Sequence, residues 1–339
     1  VPEKNCFWGF DSYKSLLEVD LDVVILATPP HFRPAYFDAC VQAKKHVFME
    51  KPACVDPVGA RQIIATAKKA ESLGLSVVTG TQRRHQRDYL ETYKQIASGA
   101  IGQITSAKAW WLQNHVWFRT REEGWTDMEY MLRNWNNFCW LCGDHILDTH
   151  VHNIDVINWF LGKHPVEAIG FGGRARRLTG DQYDFFSIDF DYGNGVFSHS
   201  MSRQIDDCAN TLGELIVGTE GYTNCKNTVY NLDGSVKWKY DYPKDKEGKS
   251  TEVVAVSPYV QEHISLVTAI RTNKPVVEAE RTAISTLTAI MGRTAAYTGQ
   301  KVTWDEMMNS TMKLGPEKYE MGPVAMEFPV PVPGSQHKE

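Results

Sequence analysis

Residues 21–27, Leu-Asp-Val-Val-Ile-Leu-Ala, form an almost unbroken apolar run that stops at Thr28-Pro29-Pro30. A short run without alternation suits a strand buried on both faces of a parallel sheet. A helical stretch follows over about 33–43, then a short strand, His46–Met49, that stops at Glu50-Lys51-Pro52. A helix over about 57–72 closes at Gly74, as helices often do at a glycine. The strand Ser76–Thr79 runs into Gly80 to Arg84, and a helix over about 88–97 stops at Gly99. Strands alternating with helices at this spacing predict βαβ units and a doubly wound parallel sheet.

After Gly102 the pattern changes. Ile188, Phe190 and Tyr192 alternate with Ser187, Asp189 and Asp191, the period of a strand with one wet face. Gly193-Asn194-Gly195 turns it into a strand over 196–203, and Asp233-Gly234 marks a second hairpin between Tyr230 and Trp238. Further strands are expected near 105–112, 166–174 and 212–218. The second half therefore reads as an open antiparallel sheet. One continuous helix over about 145–161 and another from Tyr259 to before Pro275 are expected to cover one face of it. The domain limits are 1–103 for the parallel unit, 104–327 for the α+β unit and 328–339 for an extended, proline-bearing tail. The helix over about 281–297 is expected to pack back on the first unit.

Composition narrows the function classes. The 339 residues carry 41 acidic and 36 basic side chains, a net charge of −5. Such a chain has no bulk electrostatic reason to bind nucleic acid or an anionic membrane. No apolar run approaches the roughly 20 residues of a membrane span. Seven cysteines spread along the chain read as reduced thiols, and the single Cys139-x-x-Cys142 pair reads as structural. Arg174, Arg176 and Arg177 read as a charge cluster on the sheet.

Candidate chemistry lies at the ends of the parallel strands, where open α/β sheets bind ligands. Proline disfavours helix in the residue before it, so Lys51 should extend out of the strand end. There it is either a ligand-binding ammonium or a solvated surface lysine. On a helix, His145, Asp148, His152, Asp155 and Trp159 would form one polar stripe beside the apolar Leu147, Val151, Ile154, Ile157 and Leu161. Asp148 one turn before His152 suits an oriented general base. The same stripe also fits a satisfied core network or, through His145, Asp148 and His152, a metal site. Trp110, Trp111, Trp117, Trp125, Trp135 and Trp140 are dense, and at least one of them, with Trp135 after Arg133-Asn134 foremost, is a candidate for stacking on a sugar.

Thr28-Pro29-Pro30-His31, Lys45-His46-Val47-Phe48-Met49-Glu50-Lys51-Pro52, Gly80 to Arg84, and Asp148-x-x-x-His152-x-x-Asp155 together resemble the Gfo/Idh/MocA family, which includes glucose–fructose oxidoreductase and inositol dehydrogenase. The resemblance extends through Gly218-Thr219-Glu220-Gly221 and residues 259–304. It implies a partial Rossmann-type domain and NAD- or NADP-dependent redox chemistry at a sugar or polyol hydroxyl. It implies catalytic roles for Lys51, Asp148 and His152, without a catalytic metal. It places Thr28, Pro29, Pro30, His31, Glu50, Lys51, Pro52 and Gln82 on the cofactor side, and Arg84, Trp135 and His150 on the substrate side. It also implies a dimer or tetramer formed through the antiparallel sheet, with no nucleic-acid or membrane partner, in the cytoplasm or exported to the periplasm. The family's first strand and Gly-rich phosphate turn are not in this sequence, so about two βα units are expected to precede Val1. His150 stands where relatives carry a small residue. The competing readings are an NAD-using glycosidase that oxidises transiently, with Tyr130 or Asp144 as its second proton carrier, and a non-catalytic sugar binder.

Overall fold

A computed structural model describes residues 1–324 and 329–335. Phe328 and residues 336–339 of the expected tail lie outside the described residues. The chain opens with α1 (Ser12–Leu17), β1 (Val23–Leu26), α2 (Arg33–Gln42), β2 (His46–Met49), α3 (Pro57–Ser72), β3 (Val77–Thr79) and α4 (Arg87–Ala97). It continues through β4 (Ile104–Gln113), α5 (Asp127–Arg133), α6 (Cys139–Cys142), α7 (His145–Asp148) and α8 (Val151–Leu161). Then come β5 (Glu167–Gly173), β6 (Phe185–Asp191), β7 (Phe197–Gln204), β8 (Thr211–Gly218), β9 (Gly221–Thr223), β10 (Thr228–Asn231) and β11 (Val236–Lys239). The described chain closes with α9 (Pro258–Arg271), α10 (Ala279–Thr298), β12 (Val302–Thr303), α11 (Trp304–Asn309) and an irregular strap over 310–324.

β1, β2 and β3 form a parallel sheet in that order, with Leu26 beside Met49 and Met49 beside Thr79. One face buries Val24, Leu26, Val47, Met49 and Val77 against Phe37 and Val41 of α2, Ile63 and Ala67 of α3, and Ala279 and Ala283 of α10. The helix over Pro258–Arg271 does not cover the antiparallel sheet, as its position along the chain had predicted. Leu266 packs on Phe48 and Val78, the other face of the parallel sheet, and His263 lies over the Phe48 ring at 4.2 Å. The segment after the helix is the cause. Val77 N–H donates to Val276 O at 2.7 Å and Glu278 N–H to Val77 O at 2.9 Å, so residues 276–278 close the free edge of β3 and hold α9 there.

The second sheet runs β11-β10-β9-β8-β4-β7-β6-β5-β12. It is mixed, not purely antiparallel, because β4 and β7 pair in parallel at its centre. The chain leaves β4, builds α5 to α8 and the β5–β6 hairpin, and returns along β4 in the same direction. α8 and α10 cover the inner face. Ala107, Ala109, Ile188, Phe190 and Ile216 from the strands meet Ile154, Ile157, Leu287 and Ile290 from the helices. Gly292 permits a close helix–strand approach: a Cβ there would sit 2.8 Å from the Phe190 ring. α10 also packs on α3, with Thr286 Oγ1 accepting from Ala53 N–H at 3.1 Å, so one helix serves both sheets.

The expected helix over 145–161 is broken into α7 and α8 at Thr149-His150. Gly143 (φ +86°) and Asp144 (φ +80°) turn the chain into α7. His150 then turns its imidazole onto Ser200 Oγ of β7, at 2.7 Å. Leu287 is fully buried between the helices and the mixed sheet. Leu287→Ala is expected to lower stability by about 2–5 kcal/mol, read as a fall in the urea midpoint at unchanged m-value.

Candidate active site

The ends of β2 and of the α7–α8 segment meet. Lys51, half-buried after β2, donates from Nζ to the Asp148 carbonyl oxygen at the end of α7. His152, on the first turn of α8, is close enough to the Lys51 charge to feel it. Burial first, then the charges of Lys51 and Arg83, hold the His152 imidazole well below its ordinary pKa. A neutral imidazole beside an ammonium has one group ready to take a proton and one ready to steady a negative oxygen. The Lys51-Pro52 peptide is cis, and the buried Arg33 guanidinium donates to Pro52 O at 2.6 Å, tying the turns after β1 and β2 together.

Asp148 does not orient His152 through one helical turn as expected, because the helix breaks between them. It contributes its carbonyl to Lys51 and its carboxylate charge to the surroundings of Arg33. The rest of the polar stripe also disperses. His145 Nδ1 meets Asp144 Oδ1 at 2.9 Å and its Nε2 meets Ser202 Oγ at 3.1 Å. This Ser-His-Asp order has the layout of a hydrolytic triad, but all three side chains are sealed from solvent. Asp155 takes a bidentate bond from Arg84, at 2.8 and 3.0 Å, and a third from Ser285 Oγ at 2.8 Å. Among the described residues no group of three His, Cys, Asp or Glu side chains converges as metal ligands.

The remaining expected site residues divide. Thr28, Glu50 and Gln82 lie at the three parallel strand ends. Thr28 Oγ1 and Gln82 Oε1 are buried without a partner. Glu50 reaches under Gly80, where a Cβ would approach its carboxylate to 2.3 Å. Unsatisfied buried polar atoms at strand ends fit a ligand carrying amide and hydroxyl groups. Pro29 and Pro30 bring no N–H to the turn after β1, so that turn is no phosphate cradle. His31 sits apart, its Nε2 on Tyr319 OH at 2.7 Å and its ring edge-on to Trp140, with its pKa lowered by burial to about 4. Arg84 is matched by Asp155, and Trp135 packs edge-on against Trp117. His150, expected on the substrate side, is enclosed on Ser200 and pushed by burial to about 3.

Glu262 and Arg83, which sequence reasoning missed, lie beside these residues, as does Trp111, one of the tryptophans considered for sugar stacking. Glu262 of α9 is buried with Oε2 unpartnered, and burial and the neighbouring Glu50 and Glu278 push it up to about 8. Its spacing with Leu266 and Ala269, all on the buried side of α9, is the signal that was available. Arg83 pairs with the buried Glu214, which also accepts from Tyr89 OH at 3.1 Å. Trp111 stacks on His152 with ring centroids 5.9 Å apart. Ala107, Ala109 and Trp111 alternate onto the inner face of β4, a pattern visible in the sequence.

With this geometry in hand, the relatives are informative. Residues 2–79 match the GFO_IDH_MocA model of an oxidoreductase family with an NAD-binding Rossmann fold, and residues 89–223 match the GFO/IDH/MocA C-terminal domain. The chain belongs to the Gfo/Idh/MocA family. It is 21% identical over 217 residues to scyllo-inositol 2-dehydrogenase (NAD(+)) of Bacillus subtilis (strain 168), covering 63% of this chain and 58% of that protein. It spans about half the length of the curated relatives it matches. The oxidoreductase domain protein from Kribbella flavida has the same fold, with a TM-score of 0.70 at 18% identity over 86% of this chain and 82% of that one. So does the aldose-aldose oxidoreductase from Caulobacter crescentus complexed with glycerol, with a TM-score of 0.66 at 16% identity over 87% and 83%.

The buried titratable groups set opposite pH dependences. His150 is neutral when folded, so the unfolded chain binds more protons between pH about 6.5 and 3 and stability falls on acidification, by about 1.4 kcal/mol per pH unit for this group. Glu262 is protonated when folded, so its contribution is present at low pH and lost as pH rises through about 8. Relative to the parent, His150→Gln is expected to gain urea stability on going from pH 8 to pH 5, and Glu262→Gln to gain on going from pH 5 to pH 8. Stability differences that do not change with pH would refute both assignments.

Proposed function

We propose that the chain carries the catalytic residues of an NAD- or NADP-dependent oxidoreductase acting on a sugar or polyol hydroxyl, or on the corresponding ketone. The observation that carries this reading is the Lys51 ammonium, anchored on the Asp148 carbonyl beside a neutral His152. Thr28, Glu50, Gln82 and Glu262 would hold the nicotinamide–ribose end of the cofactor, which the unpartnered polar atoms at the strand ends suit. A bound nicotinamide would supply or accept the hydride at the carbinol carbon. Lys51 holds the reacting oxygen and steadies its negative charge as its proton leaves. His152 takes that proton in the oxidising direction and returns it in the reducing direction. Asp148 fixes Lys51 through its carbonyl. Net redox is favoured over transient oxidation with elimination because that route needs a second proton carrier. Asp144 is sealed among His145, Tyr183 and Tyr297, and Tyr130 packs edge-on to Phe138.

The reading extends to a second copy of the chain. The outer face of the mixed sheet leaves Ile169, Phe171 and Phe197 more than half exposed. Light scattering is expected to give at least a dimer, reduced to monomer by Phe171→Asp with Phe197→Asp.

The activity test uses stoichiometric NAD or NADP with a panel of cyclitols, aldoses and aryl glycosides. Net reduced cofactor is expected with a cyclitol or aldose. Lys51→Met and His152→Ala are each expected to lower kcat by roughly 10²–10³ in proteins with native circular dichroism. Glycoside cleavage over many turnovers without net reduced cofactor would replace the reading.

A further inference from the structure

β4 and β7 stay together beyond their last paired residues. Ile205 N–H donates to Gln113 O at 3.1 Å and His115 N–H to Asp206 Oδ1 at 2.9 Å. A cavity of about 80 Å³ opens there, and neither Lys51 nor His152 lines it. Its walls are His115 and Phe118 from the segment after β4, Arg176 and Arg177 from the β5–β6 loop, and Gln204 and Asp206 from the end of β7. One side chain links this cavity to the candidate active site. Gln204 donates from Nε2 to Thr149 Oγ1 at 3.1 Å, beside Asp148. At about 3.3 Å per residue, His115 lies roughly 13 Å along the chain from Trp111, whose indole stacks on His152.

The walls hold donors, one acceptor and an apolar side. His115 Nε2 is buried without a partner. Burial, then Arg177, hold the His115 pKa below its ordinary value, so the ring is neutral at pH 7 and can present Nε2–H. Arg177 is buried and donates to Asn137 Oδ1 and Gln204 Oε1, both at 2.8 Å, while its Nε makes no hydrogen bond. Asp184, 3.7 Å from that Nε, matches the Arg177 charge and accepts from the backbone N–H groups of Ala175, Arg176 and Arg177. The exposed Arg176 has no acidic partner among the described residues, and the exposed Asp206 is the carboxylate of the wall. Phe118 stands edge-on to His115 with ring centroids 5.7 Å apart, and it is 46% exposed, an open apolar face.

We propose that this cavity is a subsite for an acetamido group on a second sugar unit, so that the substrate is an N-acetylated glycoside. The proposal rests on the oxidoreductase reading above. An acetamido group has one acceptor, one donor and one methyl. Its carbonyl takes His115 Nε2–H and the Arg177 Nε–H, its N–H donates to Asp206, and its methyl covers Phe118. A buried donor without a partner costs free energy until a ligand supplies the acceptor. A carboxylate or phosphate in the same place would face Asp206, and the Arg176 charge is already offset by it. The separation from the Trp111–His152 stack is longer than one sugar ring, which assigns the group to the unit beyond the reacting ring.

Calorimetric titration in the presence of NAD tests recognition without turnover. The probes are 1→3-, 1→4- and 1→6-linked glucose disaccharides whose second ring carries a hydroxyl, an acetamido group or a uronate. At least one acetamido member is expected to bind roughly tenfold more tightly than its hydroxyl counterpart. His115→Phe and Phe118→Ala, in proteins with native circular dichroism, are each expected to remove most of that advantage. The hydroxyl counterpart, which has no group for either side chain, is expected to bind as before. No acetamido advantage at any linkage, an advantage untouched by both variants, or preference for the uronates overturns the subsite. An advantage that depends on His115 and Phe118, with no member of the panel turned over with NAD or NADP, would keep the subsite and remove the oxidoreductase reading instead.

Discussion

The arrangement depends on one contact, the Lys51 ammonium on the Asp148 carbonyl. It joins the end of a parallel strand to the break between two helices of the other unit. A lysine stem has many rotamers, and fixing it costs entropy unless a partner repays that cost. The carbonyl at the end of α7 is such a partner, since the last carbonyls of a helix lack intrahelical donors. The break at Thr149-His150 therefore matters twice. It frees the Asp148 carbonyl for Lys51, and it starts α8 so that His152 faces the same space.

Around that contact the two sheets are held by buried polar pairs as well as by apolar packing. Arg84 with Asp155 and Ser285, Arg83 with Glu214 and Tyr89, and Thr79 with Glu278 and Thr282 all lie where the units meet. Buried ion pairs add little net stability compared with well-packed apolar residues, but each demands one geometry. α10 supplies several of the partners while its apolar side chains fill both cores. A joint built this way fixes the separation between Lys51 and His152 more than it raises the total stability.

Much of the fold was legible because its signals are local. The apolar run over 21–27, the stops at Pro29, Pro52 and Gly99, and the alternation over 187–192 each report a short-range constraint. The features that were not legible depend on distant partners. Nothing near Pro258–Arg271 announces that residues 276–278 will pair with β3 and carry α9 to the parallel sheet. The helix expected over 145–161 has unbroken apolar spacing, and at its break His150 bonds Ser200, fifty residues away. In the site, Lys51 was visible from the proline after it and His152 from its stripe. Glu262, Arg83 and Trp111 gave weaker signals, since what each does is set by a partner distant in sequence: Glu50 for Glu262, Glu214 for Arg83 and His152 for Trp111.

The central claim is that Lys51 and His152 share one electrostatic site with the imidazole neutral. The direct measurement is the titration of the His152 ring by NMR in the parent protein and in Lys51→Met. The account predicts that His152 in the parent stays neutral well below the usual value of about 6.5, and that removing the Lys51 charge moves its titration upward. A ring that titrates near its ordinary value, unchanged by Lys51→Met, would contradict it.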